Sequence, residues 1–327
     1  RITGKYKYLT NFDDPYNLSR STNKSGAQVA TFFKMFNFHF VCILGDRFER
    51  LPIILNSLIF KKPIIHLHGG EITQGLIDEQ VRHLTSKASH LHFVICKDYE
   101  NNLIKIGEQK SRIFNSGALA IDNILNKKQK DSRSLIINLG LDPKKPFVIL
   151  TYHPVSLEFK VSAMQQIKNI FLALKKFDLQ IIITAPGIEV GSNELISFIK
   201  SKIKKDFYKK AIFVESLGFS ALYSLIPKSQ FVIGNSSFGI IEVPFFKVPT
   251  INIGDRQKGR FLHESVIGTR YDDKSISRAI KLALSKSFRI RIKKMKYHFG
   301  NGKAADKILK VIKKTNINQK LLRKPFV

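Results

Sequence analysis

The chain has 327 residues, 43% of them hydrophobic, with 55 Lys and Arg against 25 Asp and Glu, a formal net charge of +30. That length exceeds one ordinary core and fits two domains of typical size. The charge does not make a nucleic-acid stripe, because pairs such as Lys61-Lys62, Lys144-Lys145, Lys209-Lys210 and Lys313-Lys314 are scattered along the whole sequence, whereas such a stripe clusters on one face.

No apolar run reaches bilayer-spanning length, Lys61-Lys62 interrupting the longest, and no signal peptide is visible. A cytoplasmic protein with neither nucleic-acid nor membrane partners is expected. Cys42 and Cys96 each lie in an apolar run and read as two buried residues in a reducing compartment. The chain starts at Arg1, and its first clear strand already ends in a functional-looking loop. The opening segment is therefore expected to belong to something longer.

Taken in order, short apolar runs alternate with amphipathic stretches, which argues for βα units and a mostly parallel sheet. Strands are expected at Phe40–Leu44, Pro63–Leu67, His92–Cys96 and Ile113–Asn115, with helices near 48–60, 78–88 and 98–106. A lysine-rich stretch from Asn126 to Ser134 and a turn at Asp142-Pro143 separate the halves. Strands follow at Phe147–Tyr152, Gln180–Thr184, Ala211–Glu215, Phe231–Ile233 and Thr250–Ile253, with helices near 160–176, 192–204, 218–226 and 239–246. The pattern predicts an α/β protein of two doubly wound domains, 1–140 and 141–302, facing each other across a cleft. A C-terminal helix over 303–315 is expected to pack back on the first domain, with a loose tail after Thr315.

Polar residues gather at the carboxyl ends of these strands, where such sheets bind ligands. Gly45-Asp46-Arg47-Phe48-Glu49 sets a carboxylate beside a guanidinium, suited to proton transfer and anion binding, or to a plain surface ion pair. In His66-Leu67-His68-Gly69-Gly70-Glu71, strand alternation puts both histidines on one face, and the glycines let backbone approach a ligand. His66 reads equally as a core residue, whereas Glu71 reads as functional. Asp78, Arg82 and Lys87 share a helical face, which alone would be an intrahelical salt bridge. Ser89-His90-Leu91-His92-Phe93 reads as strand-entry packing.

Thr151-Tyr152-His153-Pro154 ends another strand, and the proline holds His153 extended. Gly234-Asn235-Ser236-Ser237 leads from a strand into a helix bearing Glu242, the way α/β proteins present amides and hydroxyls to a diphosphate and a carboxylate to a ribose. A simple helix cap is the plain alternative. The following loop presents Arg256, Lys258 and Arg260. His66, His68, His83 and His153 coexist with carboxylates but lack zinc-type spacing such as HExxH, so no metal is expected.

Together these loops resemble the UDP-N-acetylglucosamine 2-epimerase family, in particular its hydrolysing branch in sialic- and legionaminic-acid pathways. The resemblance rests on GDRFE (45–49), HLHGGE (66–71), the DExxRH segment (78–83), SHLHF (89–93), HPV (153–155), GNSSFGIIEVP (234–244), INIGDRQKGR (251–260) and FGNGKAADKI (299–308). It runs in order from about residue 40 to 315.

The resemblance implies two Rossmann-like domains of the glycosyltransferase-B type and no cofactor. It implies a nucleotide-sugar substrate and a homodimer or homotetramer. Ser236 and Ser237 would contact the diphosphate, Glu242 the ribose, and Arg256 and His153 would lie nearby. Asp46, Glu71 and Asp78 would be the acid/base carboxylates, with Arg47 and Arg82 as substrate contacts. The implied chemistry is loss of the C2 proton and of UDP from C1, then addition of water to a glycal with inversion at C2. A free N-acetylmannosamine-type sugar, or a 2,4-diacetamido analogue, would be released.

Three departures stand out. The family's opening strand and its Gly-x-Arg-Ala-Glu type loop would lie before Arg1. His68 stands where some members carry a catalytic glutamate, leaving the proton donor open between His68, Glu71 and Asp78. Gly187 stands where relatives often have asparagine. A UDP-sugar glycosyltransferase of the same fold and a non-catalytic nucleotide-sugar binding protein are the competing readings.

Overall fold

The computed structural model describes residues 14–126, 130–187 and 189–325. These form two compact α/β units. One holds the described residues before Gln74, Ile77–Asp122 and the chain from His298 onward; the other holds Gln74–Leu76 and Asn123–Tyr297. The first unit thus stops at Asp122, short of the boundary expected at 140, and regains the chain at His298.

The first unit carries a parallel sheet of β1 (Val41–Leu44), β2 (Ile64–Leu67), β3 (Leu91–Val94) and β4 (Ile113–Asn115), in sequential order among the described residues. β2 and β3 are buried at every position, as expected of a parallel sheet covered on both faces. β1 ends that order among the described residues and alternates, Val41 and Ile43 inward, Cys42 and Leu44 exposed. The expectation that both cysteines are buried is thereby corrected: Cys96 is buried and Cys42 exposed, because strand alternation turns Cys42 away from the face that Val41 and Ile43 bury.

The polar opening segment contains a helix, Pro15–Met35, absent from the sequence reading. Asp14 caps it by accepting from the Asn17 amide at 2.9 Å, with proline at the first helical position. Its Phe33 is buried edge-on against Phe38 and Phe60.

At the other end, the helix Ala304–Lys314 places Ile308 in the cluster of Ile65, Leu67, Leu91 and Phe93. The tail beyond it is not loose. Residues Gln319–Leu322 form a helical turn, and the buried Arg112 guanidinium donates to the carbonyls of Lys320, Leu321 and Arg323 at 2.9–3.1 Å. Lys324 Nζ donates to the carbonyls of Ser86, Lys87 and Ser89, each at 2.9 Å, and pairs with buried Glu108 at 2.5 Å. These carbonyls end the helix Asp78–Ala88, where a cation is favoured.

The second unit is built on six parallel strands in the order β10-β9-β8-β5-β6-β7. They are β5 (Phe147–Thr151), β6 (Gln180–Thr184), β7 (Ala211–Val214), β8 (Val232–Gly234), β9 (Thr250–Ile253) and β10 (Val266–Thr269). β10, a half-exposed edge strand containing Gly268, was not foreseen. The order reverses between β5 and β8, the topological switch at which doubly wound sheets bind ligands. At that point Thr151 pairs with Gly234 and with Thr184, bringing three strand ends level. Gly234 has φ +140°, and a Cβ there would lie 1.9 Å from the Thr151 carbonyl oxygen, so glycine is required.

The helix expected near 239–246 is a single α turn, Phe238–Ile241, followed by a 3-10 turn, Val243–Phe246. Pro244 breaks it, lacking the N–H and clashing with the preceding turn.

Candidate active site

In the first unit, parallel pairing aligns Leu44 with Leu67 and Leu67 with Phe93. The loops after β1 and β2 therefore leave the sheet side by side. His66, at the end of β2, is fully buried: its Nε2 lies 3.0 Å from the Gly45 carbonyl and its Nδ1 3.1 Å from the Ser86 hydroxyl. The carbonyl only accepts, so Nε2 carries the proton and Nδ1 accepts from Ser86. Burial, with His92 nearby, drives its pKa down to about 3. His66 is a neutral strut joining the β1 loop, β2 and the helix Asp78–Ala88, which resolves it towards the core reading.

The loop after β2 turns sharply at His68, which takes a left-handed φ of +66°. Its Nδ1 lies 2.8 Å from Oε1 of Glu71, a carboxylate only 3% exposed. Gly70 allows the turn: at φ +77° a Cβ would lie 2.2 Å from the Tyr99 carbonyl oxygen.

Arg82, 1% exposed, reaches back from its helix and binds Asp46 through Nη2. Its Nη1 donates to the Glu71 carbonyl at 2.8 Å and to Glu79 at 2.7 Å. Glu79 in turn accepts from the Thr73 amide at 2.6 Å. One guanidinium thus fixes Asp46, the Glu71 backbone and the 71–73 loop. Asp78, half-buried, is the first residue of the same helix.

Arg47, expected at substrate, bonds its neighbour Glu49 at 3.0 Å and lies over the Phe48 ring. His83 is half exposed and 3.2 Å from Glu79. Lys87 lies 3.5 Å from Glu108. His90 Nδ1 accepts from the Ile64 amide and His92 pairs with Glu108 at 2.9 Å, both structural.

The second unit gathers its polar groups at the β5/β8 switch around Asn235, which is fully buried. The Asn235 side chain accepts from the His153 amide and donates to the His153 carbonyl, both at 2.8 Å. The Asn235 carbonyl accepts from Arg256 at 3.2 Å and Gln257 at 2.8 Å. The amide of Gly187 donates to His153 Nδ1 at 2.8 Å, leaving Nε2 to donate. Arg256 also pairs with Glu189 at 3.2 Å. Ser236 and Ser237, half-buried, follow on the same turn, and Glu242 closes the short helix beside them.

A cavity of about 310 Å³ opens at these strand ends, lined by Thr151, Thr184, Phe219, Tyr223, Phe238 and Glu242. Its size falls at the lower end of small-molecule sites, roughly 300–1,000 Å³. Aromatic walls with two carboxylates, Glu215 and Glu242, suit a nucleoside. A larger cavity, about 680 Å³, lies along β10 and Arg278 and contains none of the expected site residues.

Asn235, Gln257, Glu189 and Glu79 carry no sequence signal of the roles they play here. Asn235 stood inside the Gly-Asn-Ser-Ser turn, but nothing local shows that its partner is 82 residues away. Among the described residues no group of three or more His, Cys, Asp or Glu could hold a metal ion, and no helix is long and apolar enough to cross a membrane.

Two Rossmann-like parallel-sheet domains, one with an acid-rich strand edge and one with a small cavity at its switch point, define an α/β protein of the glycosyltransferase-B fold class. Residues 2–313 match the family described as UDP-N-acetylglucosamine 2-epimerase, and the chain belongs to that family. It is 35% identical, over 332 aligned positions covering all of this chain and 84% of the relative, to the GDP/UDP-N,N'-diacetylbacillosamine 2-epimerase (hydrolyzing) of Campylobacter jejuni. It is 32% identical over 286 positions, 87% of this chain and 73% of the relative, to the UDP-N,N'-diacetylbacillosamine 2-epimerase (hydrolyzing) of Legionella pneumophila. These similarities place it with the hydrolysing branch.

Among solved structures, the UDP-GlcNAc 2-epimerase of Neisseria meningitidis bound to UDP-GlcNAc superposes with a TM-score of 0.77 at 16% identity, covering 94% of this chain and 84% of that one. The Methanocaldococcus jannaschii enzyme in complex with UDP-GlcNAc and UDP gives 0.75 at 21% identity, covering 90% and 81%. These likenesses establish the fold.

Proposed function

We propose that the protein converts a UDP-linked 2-acetamido sugar, UDP-N-acetylglucosamine or its 2,4-diacetamido counterpart, to the free manno-configured sugar and UDP. The observation that carries this reading is the first unit's carboxylate edge, with Asp46 held by Arg82 and Glu71 held by His68. Moving a proton at a carbon needs such positioned acids and bases. A simple glycosyl transfer does not call for so many.

In the proposed reaction a base removes the C2 proton as the C1–O bond breaks, and UDP leaves with the electron pair. Water then adds its hydroxyl to C1 of the glycal while a proton is delivered to the opposite face of C2. Asp46, as the ionised partner of Arg82, suits proton abstraction. The His68–Glu71 pair can share and return a proton, with Asp78 as a third acid/base carboxylate. Arg47 contributes to sugar binding, and Arg82 acts by holding Asp46 and Glu71.

In the second unit Arg256, the Nε2–H of His153 and the Ser236 and Ser237 hydroxyls would offset charge developing on the departing diphosphate. Glu242 would accept from the ribose hydroxyls. With this reading go a cytoplasmic location and assembly as a dimer or tetramer.

The test is an NMR time course in D2O with each candidate substrate. UDP plus a free manno-configured sugar deuterated at C2 is the expected result. UDP binding without any sugar release would overturn the enzyme reading, and transfer to an added acceptor would favour a glycosyltransferase.

A further inference from the structure

The Arg256 guanidinium is held at both ends. Nη1 donates to the Asn235 carbonyl, and Nη2 pairs with Glu189 at 3.2 Å, their side chains only 11% and 19% exposed. Surface pairs such as Lys210–Asp178 are far more exposed, at 56% and 80%, and contribute little. Arg256–Glu189 is the sheltered kind, in which each charge depends on the other. A guanidinium fork suits a carboxylate and a phosphate in much the same geometry. Glu189 therefore occupies the position on Arg256 that an anionic ligand would claim.

Its mounting fits displacement. The backbone around Glu189 is tied down by Ser192, whose amide donates to the Glu189 carbonyl at 3.1 Å and whose hydroxyl donates to the Gly187 carbonyl at 2.8 Å. Gly191 then turns the chain at φ +83° into the helix Ser192–Asp206. The backbone can stay in place while the Glu189 carboxylate swings away by side-chain rotation. Gly187, two residues earlier, holds His153, so one short loop touches both groups proposed to meet the diphosphate.

Resting on the proposed function, we propose that Glu189 is an internal stand-in for the diphosphate: it neutralises Arg256 in the free protein, is displaced by a nucleoside diphosphate, and by competing for Arg256 speeds product release. If the carboxylate stays nearby, it repels the bound diphosphate; if it leaves, its ion pair is lost. Both routes weaken product binding, and neither acts when position 189 is uncharged.

The test is calorimetric titration of UDP into the unaltered chain, Glu189→Gln and Glu189→Asp, alongside UDP inhibition constants in the sugar-release assay. Glu189→Gln should bind UDP roughly tenfold more tightly, about 1.4 kcal/mol, while Glu189→Asp stays near the starting value. Weaker or unchanged binding by a Glu189→Gln protein of unaltered thermal midpoint would show that Glu189 merely orients Arg256, and would overturn the proposal. Should Glu189→Gln fold poorly, Glu189→Ala carries the same expectation of tighter UDP binding, and weaker or unchanged binding by a folded Glu189→Ala protein would equally overturn the proposal. Absence of UDP binding by the unaltered chain would instead sink the reading of the site, and this inference with it.

Discussion

The Gly187 amide donates to Nδ1 of His153 at 2.8 Å, which leaves the imidazole proton on Nε2 as a preset donor. A donor fixed before ligand arrives needs no reorganisation when negative charge develops. His153→Ala is expected to lower kcat by roughly 10²–10³-fold, the usual effect of losing one such donor. His153→Gln, which keeps an N–H, should recover part of the loss. Equal rates for the two variants, measured as UDP release, would contradict a donor role.

Arg82 joins Asp46, Glu79 and the Glu71 carbonyl from a site 1% exposed. Arg82→Met strands the two carboxylates and is expected to cost about 3 kcal/mol of stability, the lower range for breaking a buried pair. Urea unfolding with an unchanged m-value would read it. Arg82→Lys replaces a planar fork, which reaches Asp46 through Nη2 and Glu79 with the Glu71 carbonyl through Nη1, by a single compact ammonium, and should restore little activity.

Burial pushes the His66 pKa down to about 3 and the His90 pKa down to about 4, from an ordinary 6.5. Between those values the unfolded chain binds protons that the folded chain refuses, so stability rises with pH. The contribution is fully present above about pH 6.5 and is lost as pH falls towards 4, on the order of a few kcal/mol. Thermal midpoints from pH 7.5 to 4.5 should fall steeply, and His66→Gln should flatten the slope. A flat profile for the unaltered chain would mean these rings are not held neutral.

Much of this architecture is legible from residue order, and the exceptions have physical causes. Runs such as Phe147–Thr151 and Gln180–Thr184 are apolar because both sheet faces are covered, so they announce themselves. β10 does not, being a short edge strand with Gly268 and half-exposed positions. The helix Asp273–Leu284 carries a clear cap, Asp272 accepting from Ser275, yet its charged outer face hides its buried Ile276 and Ile280. At the site, the chemically distinctive loops stand out by composition. Their supports, Asn235, Glu79 and Glu189, are ordinary polar residues whose roles come from distant partners. The ordered tail is hidden for the same reason: Lys324 is a surface-like lysine until its carbonyl partners, up to 238 residues away, are known.

Those partners make the tail testable. Lys324→Met leaves Glu108 buried and short of a cation, and removes the cap on the helix bearing Glu79 and Arg82. A loss of about 3 kcal/mol is expected, with faster hydrogen exchange in the last turn of Asp78–Ala88. Unchanged exchange there would show that the cap contributes nothing to that helix.

Gly234→Ala should be among the most damaging small changes, since its Cβ would fall 1.9 Å from the Thr151 carbonyl oxygen in a left-handed backbone. Separation of β8 from β5 would carry Asn235 away from His153. UDP affinity should fall along with stability; a variant that keeps full UDP affinity would show that this strand contact does not position the site.

The pairing of β5 with β8 also imposes an order of events in time. His153 and Asn235 meet across 82 residues, with β6 and β7 in between. Such a junction closes a long loop before it gains any contact, which slows folding. On the ribosome, the floor of the nucleotide site cannot exist until the chain has been made past Asn235. Until then the apolar face of β5 has only β6 and its helices for cover, and this is the interval in which the nascent protein is most exposed to aggregation.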